Sequence, residues 1–186
     1  MDFTKIADDL DVKPAIAELI ENYHLFGEFN ARKEAPNSPH ADMTDIWVRY
    51  GDVSDMIESG DYSKIAEEHD SIWLKDLPEI KKLCFKIMSL VDGERLGGVL
   101  ITKLPINGII KEHSDSGWHA EYYDKFFVPI INEPGCIFGF NQGDILATAG
   151  EVWQFDNSKP HWVVNHSDCE RIAMIVCIKH SKDFGE

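Results

Sequence analysis

The spacing of apolar residues changes period once along this chain. Near the start, Asp11-Val12-Lys13-Pro14 reads as a helix cap with proline in the first turn, and Ile16, Leu19, Ile20 and Tyr23 follow at helical spacing. A loop rich in proline and small polar residues, Ala35-Pro36-Asn37-Ser38-Pro39, comes next, and Asp45-Ile46-Trp47-Val48-Arg49-Tyr50 reads as an early strand. Leu77-Pro78 opens a second helix with Ile80, Leu83, Ile87, Met88 and Val91 on its apolar face and Lys81 and Lys82 on its exposed face. From about Gly97 the texture becomes short β-rich runs, at 98–104, 107–113, 126–131, 136–141, 144–148, 151–155, 161–165 and 171–179. Asn132-Glu133-Pro134-Gly135, Asn141-Gln142-Gly143-Asp144 and Asp156-Asn157-Ser158 supply turns between them.

Many short strands following a helical third predict a mainly β protein, a jelly roll with its N-terminal helices packed on one sheet. No internal repeat or low-complexity segment is visible, so the expectation is one domain over 1–186, with helical and loop support plus an early strand in 1–95 and the β core in 96–180. The 186 residues, 44% of them hydrophobic, are enough for a packed core.

Charge narrows the function. With 18 Lys+Arg against 33 Asp+Glu the net charge is −15, which leaves no basic footprint for nucleic acid and works against docking on an anionic membrane. The opening MDFTKIADDL carries acids where a secretory signal needs a basic end, and no apolar run is long enough to span a bilayer, so a cytoplasmic protein is expected. Cys84, Cys136, Cys169 and Cys177 form no C-x-x-C pair and read as reduced thiols, Cys84 and Cys177 as core residues; a thiolate zinc site has no support.

Candidate chemistry lies in the histidines: His24, His40, His69, His113, His119, His161, His166 and His180. The pattern H-x-D occurs at His40/Asp42, His113/Asp115 and His166/Asp168. On a strand, residues i and i+2 share a side, so H-x-D offers an imidazole and a carboxylate to one metal, and a third ligand must come from elsewhere. Two neutral nitrogens and a carboxylate on one face leave positions open, an arrangement suited to non-haem Fe(II). His113 and Asp115 end a strand entering a glycine-containing loop, with His161 downstream to complete a triad; both imidazoles must be neutral to bind. Arg171, the only arginine after Arg95, starts the apolar run Ile172 to Ile178, where a buried guanidinium needs an anion such as a dicarboxylate cosubstrate. A rival site pairs His40 and Asp42 with His113 as third ligand and Lys125 as anion anchor, but it leaves His161 and Arg171 without a role. His166/Asp168 lies in a turn with only His180 beyond it.

From about Lys103 to His180 the chain resembles the aspartyl/asparaginyl β-hydroxylase-like Fe(II)/2-oxoglutarate-dependent oxygenases. The resemblance is carried by Glu151-Val152-Trp153-Gln154-Phe155-Asp156-Asn157-Ser158-Lys159-Pro160-His161, then Val164-Asn165-His166-Ser167 and Arg171-Ile172. Short bacterial and phage-encoded members are also similar around Arg32 to His40 and Asp45 to Tyr50. The resemblance implies a double-stranded β-helix (jelly roll, cupin-like), with His113 and Asp115 on one strand, His161 on a neighbour in the same sheet, and Arg171 facing them from the opposite sheet to pair with the distal carboxylate of 2-oxoglutarate. It implies Lys125 as a second cationic cosubstrate contact and Thr102 as an assisting hydroxyl. Two positions set this chain apart: Phe127 stands where relatives commonly have histidine, removing a polar contact near the cosubstrate, and Asp115 keeps the carboxylate that animal members replace by glycine.

The implied activity is hydroxylation of an amino-acid side chain, free or within a peptide or protein, using Fe(II), 2-oxoglutarate and O2 and releasing succinate and carbon dioxide. A different small-molecule substrate, or a non-catalytic cupin-like binding module, are the alternatives. Past the H-x-D, Trp118, His119, Tyr122 and Tyr123 read either as substrate contacts or as the closed mouth of the barrel. Trp153 and Phe155 read as core, and Arg49 either orients a substrate carboxylate or pairs with one of the chain's acids. The negative total charge favours a neutral or cationic partner unless the pocket reverses its sign. Substrate identity and oligomeric state lie beyond the sequence.

Overall fold

The computed structural model describes residues 2–51, 72–73 and 77–180; His69 lies outside them. Among the described residues, eleven strands fall in two antiparallel sheets. In chain order they are β1 (Phe3–Ala7), β2 (Thr44–Tyr50), β3 (Ile72–Trp73), β4 (Gly93–Leu104), β5 (Ile109–His113), β6 (Asp124–Ile131), β7 (Cys136–Phe140), β8 (Gly143–Ile145), β9 (Val152–Phe155), β10 (His161–Asn165) and β11 (Arg171–His180). The larger sheet runs β1-β9-β6-β11-β4-β2-β3 and the smaller β5-β10-β7-β8. The helices are α1 (Lys13–Glu21), α2 (Ala31–Glu34), α3 (Pro78–Leu90) and α4 (Trp118–Tyr122).

The central strands β6 and β11 of the larger sheet are buried on both faces, which is why they read as continuous apolar runs. Along β6, Phe126, Val128 and Ile130 join Ile46, Val99, Ile101, Met174 and Val176 against α1 and α3. Phe127, one residue along, faces the smaller sheet with Phe138, Phe140, Phe155, Val163 and Ala173. The period of two in the strands thus sorts neighbouring phenylalanines into two cores. The expected jelly roll with helices packed on one sheet is the observed architecture.

Details depart from expectation where distant contacts override local pattern. The strand β1 was not expected; it is half-exposed and owes its existence to pairing with β9, Phe3 opposite Phe155. The expected 144–148 strand shrinks to β8, and Leu146 beyond it is 69% exposed. In α1 the buried positions are Ala15, Glu18 and Leu19, whereas Ile20 and Tyr23 point outward. Asp11 Oδ1 does accept the Lys13 N–H, at 3.1 Å, although Val12 holds the cap position.

Glu18 is buried for a reason. Its carboxylate accepts the backbone N–H groups of Glu79 and Ile80, at 2.8 and 2.9 Å, capping the N-terminus of α3 from a different helix. The Val164-Asn165-His166-Ser167 segment is also structural. Asn165 is fully buried, donates to the carbonyls of Leu104, Pro105 and Cys169, and accepts from the Ser167 N–H and hydroxyl. It ties the end of β10 to the end of β4 and the start of β11, so this H-x-D copy serves a turn.

Replacing Glu18 with alanine strands one buried and one part-buried N–H donor and is expected to lower unfolding free energy by about 2 kcal/mol. Urea denaturation measures this; a change below about 0.5 kcal/mol would show that the cap contributes little.

Candidate active site

The antiparallel pairing of β5 with β10 sets His113 directly opposite His161. Their ring centroids are 4.4 Å apart. Asp115 lies two residues past the end of β5, in loop rather than on the strand, and its N–H donates to the Asn157 carbonyl at 2.8 Å. The Asn157 side chain in turn donates to the Ala120 carbonyl of α4, at 3.2 Å. Asn157 therefore holds the carboxylate loop to both the turn before β10 and α4, a role for that residue which only the folded chain reveals. The ligand atoms of His113, Asp115 and His161 lie within 4.8 Å of one another.

Both imidazoles are oriented by their own strands. His113 Nδ1 meets the Lys111 carbonyl at 2.7 Å and His161 Nδ1 the Lys159 carbonyl at 2.8 Å, so Nδ1–H is the donor in each and Nε2 is the ring nitrogen left to act as a ligand. A metal-ligating histidine is held in this way, by a hydrogen bond from its other ring nitrogen. Burial holds the His161 pKa below its ordinary value, which keeps the ring neutral. For Asp115 burial pushes upward, but the Lys125 charge and hydrogen bond prevail and the carboxyl titrates below its usual range. Neutral nitrogens and an ionised carboxylate are a donor set suited to a divalent iron-group ion.

A cavity of about 440 Å³ adjoins this cluster. At its inner end Arg171, only 3% exposed, enters from β11 in the opposite sheet. Its Nε donates to Asn132 Oδ1 at 3.2 Å, and its guanidinium sits 5.0 Å from the Phe127 ring centroid. Burial lowers its pKa to about 10, and no carboxylate lies within ion-pair distance among the described residues. Phe127, where a histidine was expected from the resemblance, thus serves as a cation–π platform. Thr102 lines the cavity, with its hydroxyl donating to the Ala173 carbonyl at 3.3 Å. Lys125 also lines it and forms an ion pair with Asp115 Oδ2.

The remaining predicted residues gather at the outer end. His119 and Arg49 both line the cavity, as do Trp118 and Tyr123. Burial, then Lys125, drives the His119 pKa down to about 4. Arg49 Nη1 donates to the Gly97 carbonyl at 2.5 Å.

The His40/Asp42 copy divides. Asp42 Oδ2 accepts the Ile109 N–H at 3.0 Å, pinning the start of β5, so the rival metal site is not assembled. His40 nevertheless stands beside the cluster, edge-on to His113 with ring centroids 4.6 Å apart, and Arg32 Nη2 lies 3.0 Å from its Nε2. Burial, reinforced by Arg32, lowers the His40 pKa to about 2. The segment is held there by the Lys111 N–H, which donates to the Pro39 carbonyl at 2.9 Å.

A family model for aspartyl/asparaginyl beta-hydroxylase matches residues 62–181. No curated protein matches the chain. Among solved structures, a prolyl hydroxylase from Trichoplax adhaerens in complex with a hypoxia inducible factor peptide aligns at 12% identity and a TM-score of 0.66, over 97% of this chain and 84% of that one. A Pseudomonas putida prolyl-4-hydroxylase aligns at 13% and 0.57, over 96% and 93%. HygX from Streptomyces hygroscopicus, with nickel and 2-oxoglutarate bound, aligns at 11% and 0.56, over 97% and 84%. At these identities the likeness is one of fold.

The depressed His119 pKa has a measurable sign. Between about pH 6.5 and pH 4 the unfolded chain takes up a proton that folded His119 refuses, so this residue contributes stability above that window and loses it on acidification. Relative to His119→Gln, the wild type is expected to lose up to about 1.4 kcal/mol per pH unit across the window. Parallel urea titrations at several pH values measure it; two stability curves of equal slope would refute the burial of a neutral imidazole.

Proposed function

The chain belongs to the aspartyl/asparaginyl beta-hydroxylase family, and from that premise we propose that this 2-oxoglutarate-dependent hydroxylase works on Fe(II) held by His113, Asp115 and His161. The observation that carries the reading is Arg171: a buried cation without a carboxylate partner among the described residues, sharing one cavity with a His-Asp-His cluster whose two histidines stand on the facing sheet. A buried guanidinium needs an anion with two oxygens in its plane, and the distal carboxylate of 2-oxoglutarate is such a group.

Bound iron, 2-oxoglutarate and dioxygen supply the oxidising power, the keto acid leaving as succinate and carbon dioxide as a hydroxyl group enters the substrate. The protein's residues aim and insulate that chemistry. His113 and His161 present Nε2 because backbone carbonyls hold Nδ1–H. Asp115 brings one negative charge, and Lys125 beside it is placed to balance the added charge of the keto acid as a second cosubstrate contact. Thr102 lies in the same wall, available as a hydroxyl lone pair while its proton stays on Ala173. Phe138, Phe155 and Val163 line the cavity around the cluster and exclude water from it. Arg49 and His119 are read as substrate-side residues. The substrate is an amino-acid side chain, free or in a peptide or protein; one structural neighbour is a complex with a peptide.

The four cysteines are free, which supports a reducing compartment, the cytoplasm. No helix among the described residues is long and apolar enough to cross a membrane.

Anaerobic addition of Fe(II) and 2-oxoglutarate is expected to give a weak visible charge-transfer band that His113→Ala abolishes. Arg171→Met should retain metal binding yet weaken 2-oxoglutarate binding by about 10- to 100-fold, the loss of a charge-assisted bidentate contact. Persistence of the band without His113, or unchanged cosubstrate affinity without Arg171, would overturn these assignments.

A further inference from the structure

Arg171 is the first residue of β11, and its guanidinium is held from two sides. Phe127 of β6 backs it, with the ring centroid 5.0 Å from the guanidinium carbon. Asn132, one residue past the end of β6, accepts the Nε–H on its Oδ1 at 3.2 Å and so limits rotation of the guanidinium. Among the described residues this is the one hydrogen bond of the Arg171 side chain, and both Nη groups are left for the cavity that Arg171 lines. The Asn132 amide is itself oriented. Its nitrogen donates to the carbonyl of buried Ala147, at 2.8 Å, in the loop that follows β8. With the amide nitrogen engaged there, the oxygen is the end that faces Arg171.

The chemical identity of this acceptor matters. Aspartate has nearly the same shape and would accept the Nε–H more strongly, because hydrogen bonds between ionised partners are the stronger ones. It would also neutralise Arg171 in a buried ion pair, confront an incoming anion with like charge, and set a lone pair against the Ala147 carbonyl where the amide now donates. Asparagine supplies the acceptor without the charge. A buried guanidinium that lacks a counter-ion is unfavourable in the empty protein. The uncharged partner therefore makes sense as a property of the loaded protein, in which the ligand brings the anion.

We propose, on the hydroxylase reading above, that Asn132 is a positioning residue for the cosubstrate. By holding Nε it aims the two Nη groups of Arg171 at the distal carboxylate, and by being uncharged it leaves the guanidinium its full charge for that contact. It is thereby a determinant of selectivity for 2-oxoglutarate over keto acids without a distal carboxylate.

The test is calorimetric titration of the full chain loaded with Zn(II), which is redox-inert, with 2-oxoglutarate and with pyruvate, which carries the same keto-acid end and no distal carboxylate. Wild type, Asn132→Ala and Asn132→Asp are compared, and Zn(II) binding by each variant checks that it is folded. For 2-oxoglutarate Asn132→Ala is expected to bind about tenfold more weakly than wild type and Asn132→Asp about 100-fold more weakly, while pyruvate binds all three alike. A purely structural asparagine predicts the opposite order, because Asn132→Asp keeps the shape and an acceptor for Nε–H whereas Asn132→Ala removes both. Asn132→Asp closer to wild type than Asn132→Ala, or an equal loss of pyruvate affinity, would overturn the proposal. A wild-type measurement decides if the variants fail to fold: in the ¹⁵N–¹H spectrum of the arginine side chains, assigned with Arg171→Met, 2-oxoglutarate should shift the Arg171 Nη–H signals far more than the Nε–H signal. A dominant Nε–H shift would show the ligand taking the place of Asn132 and would overturn it too. Absence of 2-oxoglutarate binding by the wild type removes the hydroxylase assignment itself, whereas binding with the wrong order among the variants removes only the role of Asn132.

Discussion

The pairing of β5 with β10 in the register that sets His113 against His161 is the constraint on which the site depends. Side chains alternate along a strand, so a slip of one residue would turn one imidazole away from the cavity. The register is fixed from several directions. Val163 and Ile110 must meet in the inner core, Asn165 anchors the far end of β10 through three carbonyls, and Asp42 holds the first N–H of β5. None of these residues belongs to the candidate ligand set, yet each limits where the two imidazoles can stand.

The second organising feature is a positive cavity inside a strongly acidic protein. Surface carboxylates are solvated and screened within a Debye length, whereas cations facing a shared low-dielectric pocket act on its contents with little screening. Net charge favours a neutral or cationic partner; the cavity lining reverses that preference because the fold gathers arginines from α2, β2, β4 and β11 into one space. Depressed pKa values at His40 and His119 belong to the same environment: burial and neighbouring cations keep both rings neutral, so the polar groups beside the ligand cluster can exchange hydrogen bonds without adding charge.

The helices act on the site at a distance. Glu18 of α1 caps α3, and both helices pack against the face of the larger sheet that points away from the cavity. That support lets β4, β6 and β11, the covered centre of the sheet, present Thr102, Lys125 and Arg171 on their inner face.

Features with a short-range chemical signature were legible in the sequence: the switch from helical to strand period near Gly97, the turns at 132–135 and 156–158, H-x-D followed by a distant histidine, and an arginine opening an apolar run. Each follows from residue type and spacing within one segment, where backbone geometry dictates which side chains share a face. What the tertiary structure decided depends on segments that meet only after folding. Tyr23 and Ile20 matched the helical period but face outward, β1 formed only because β9 offered an edge, and of two histidines in H-x-D copies outside the triad one came to rest against His113 while the other stayed in a turn. Asn157 holding the Asp115 loop, Phe127 beneath Arg171 and two indole N–H groups without acceptors likewise leave no periodic trace, since partners far apart in the chain obey packing and hydrogen-bond satisfaction rather than local spacing.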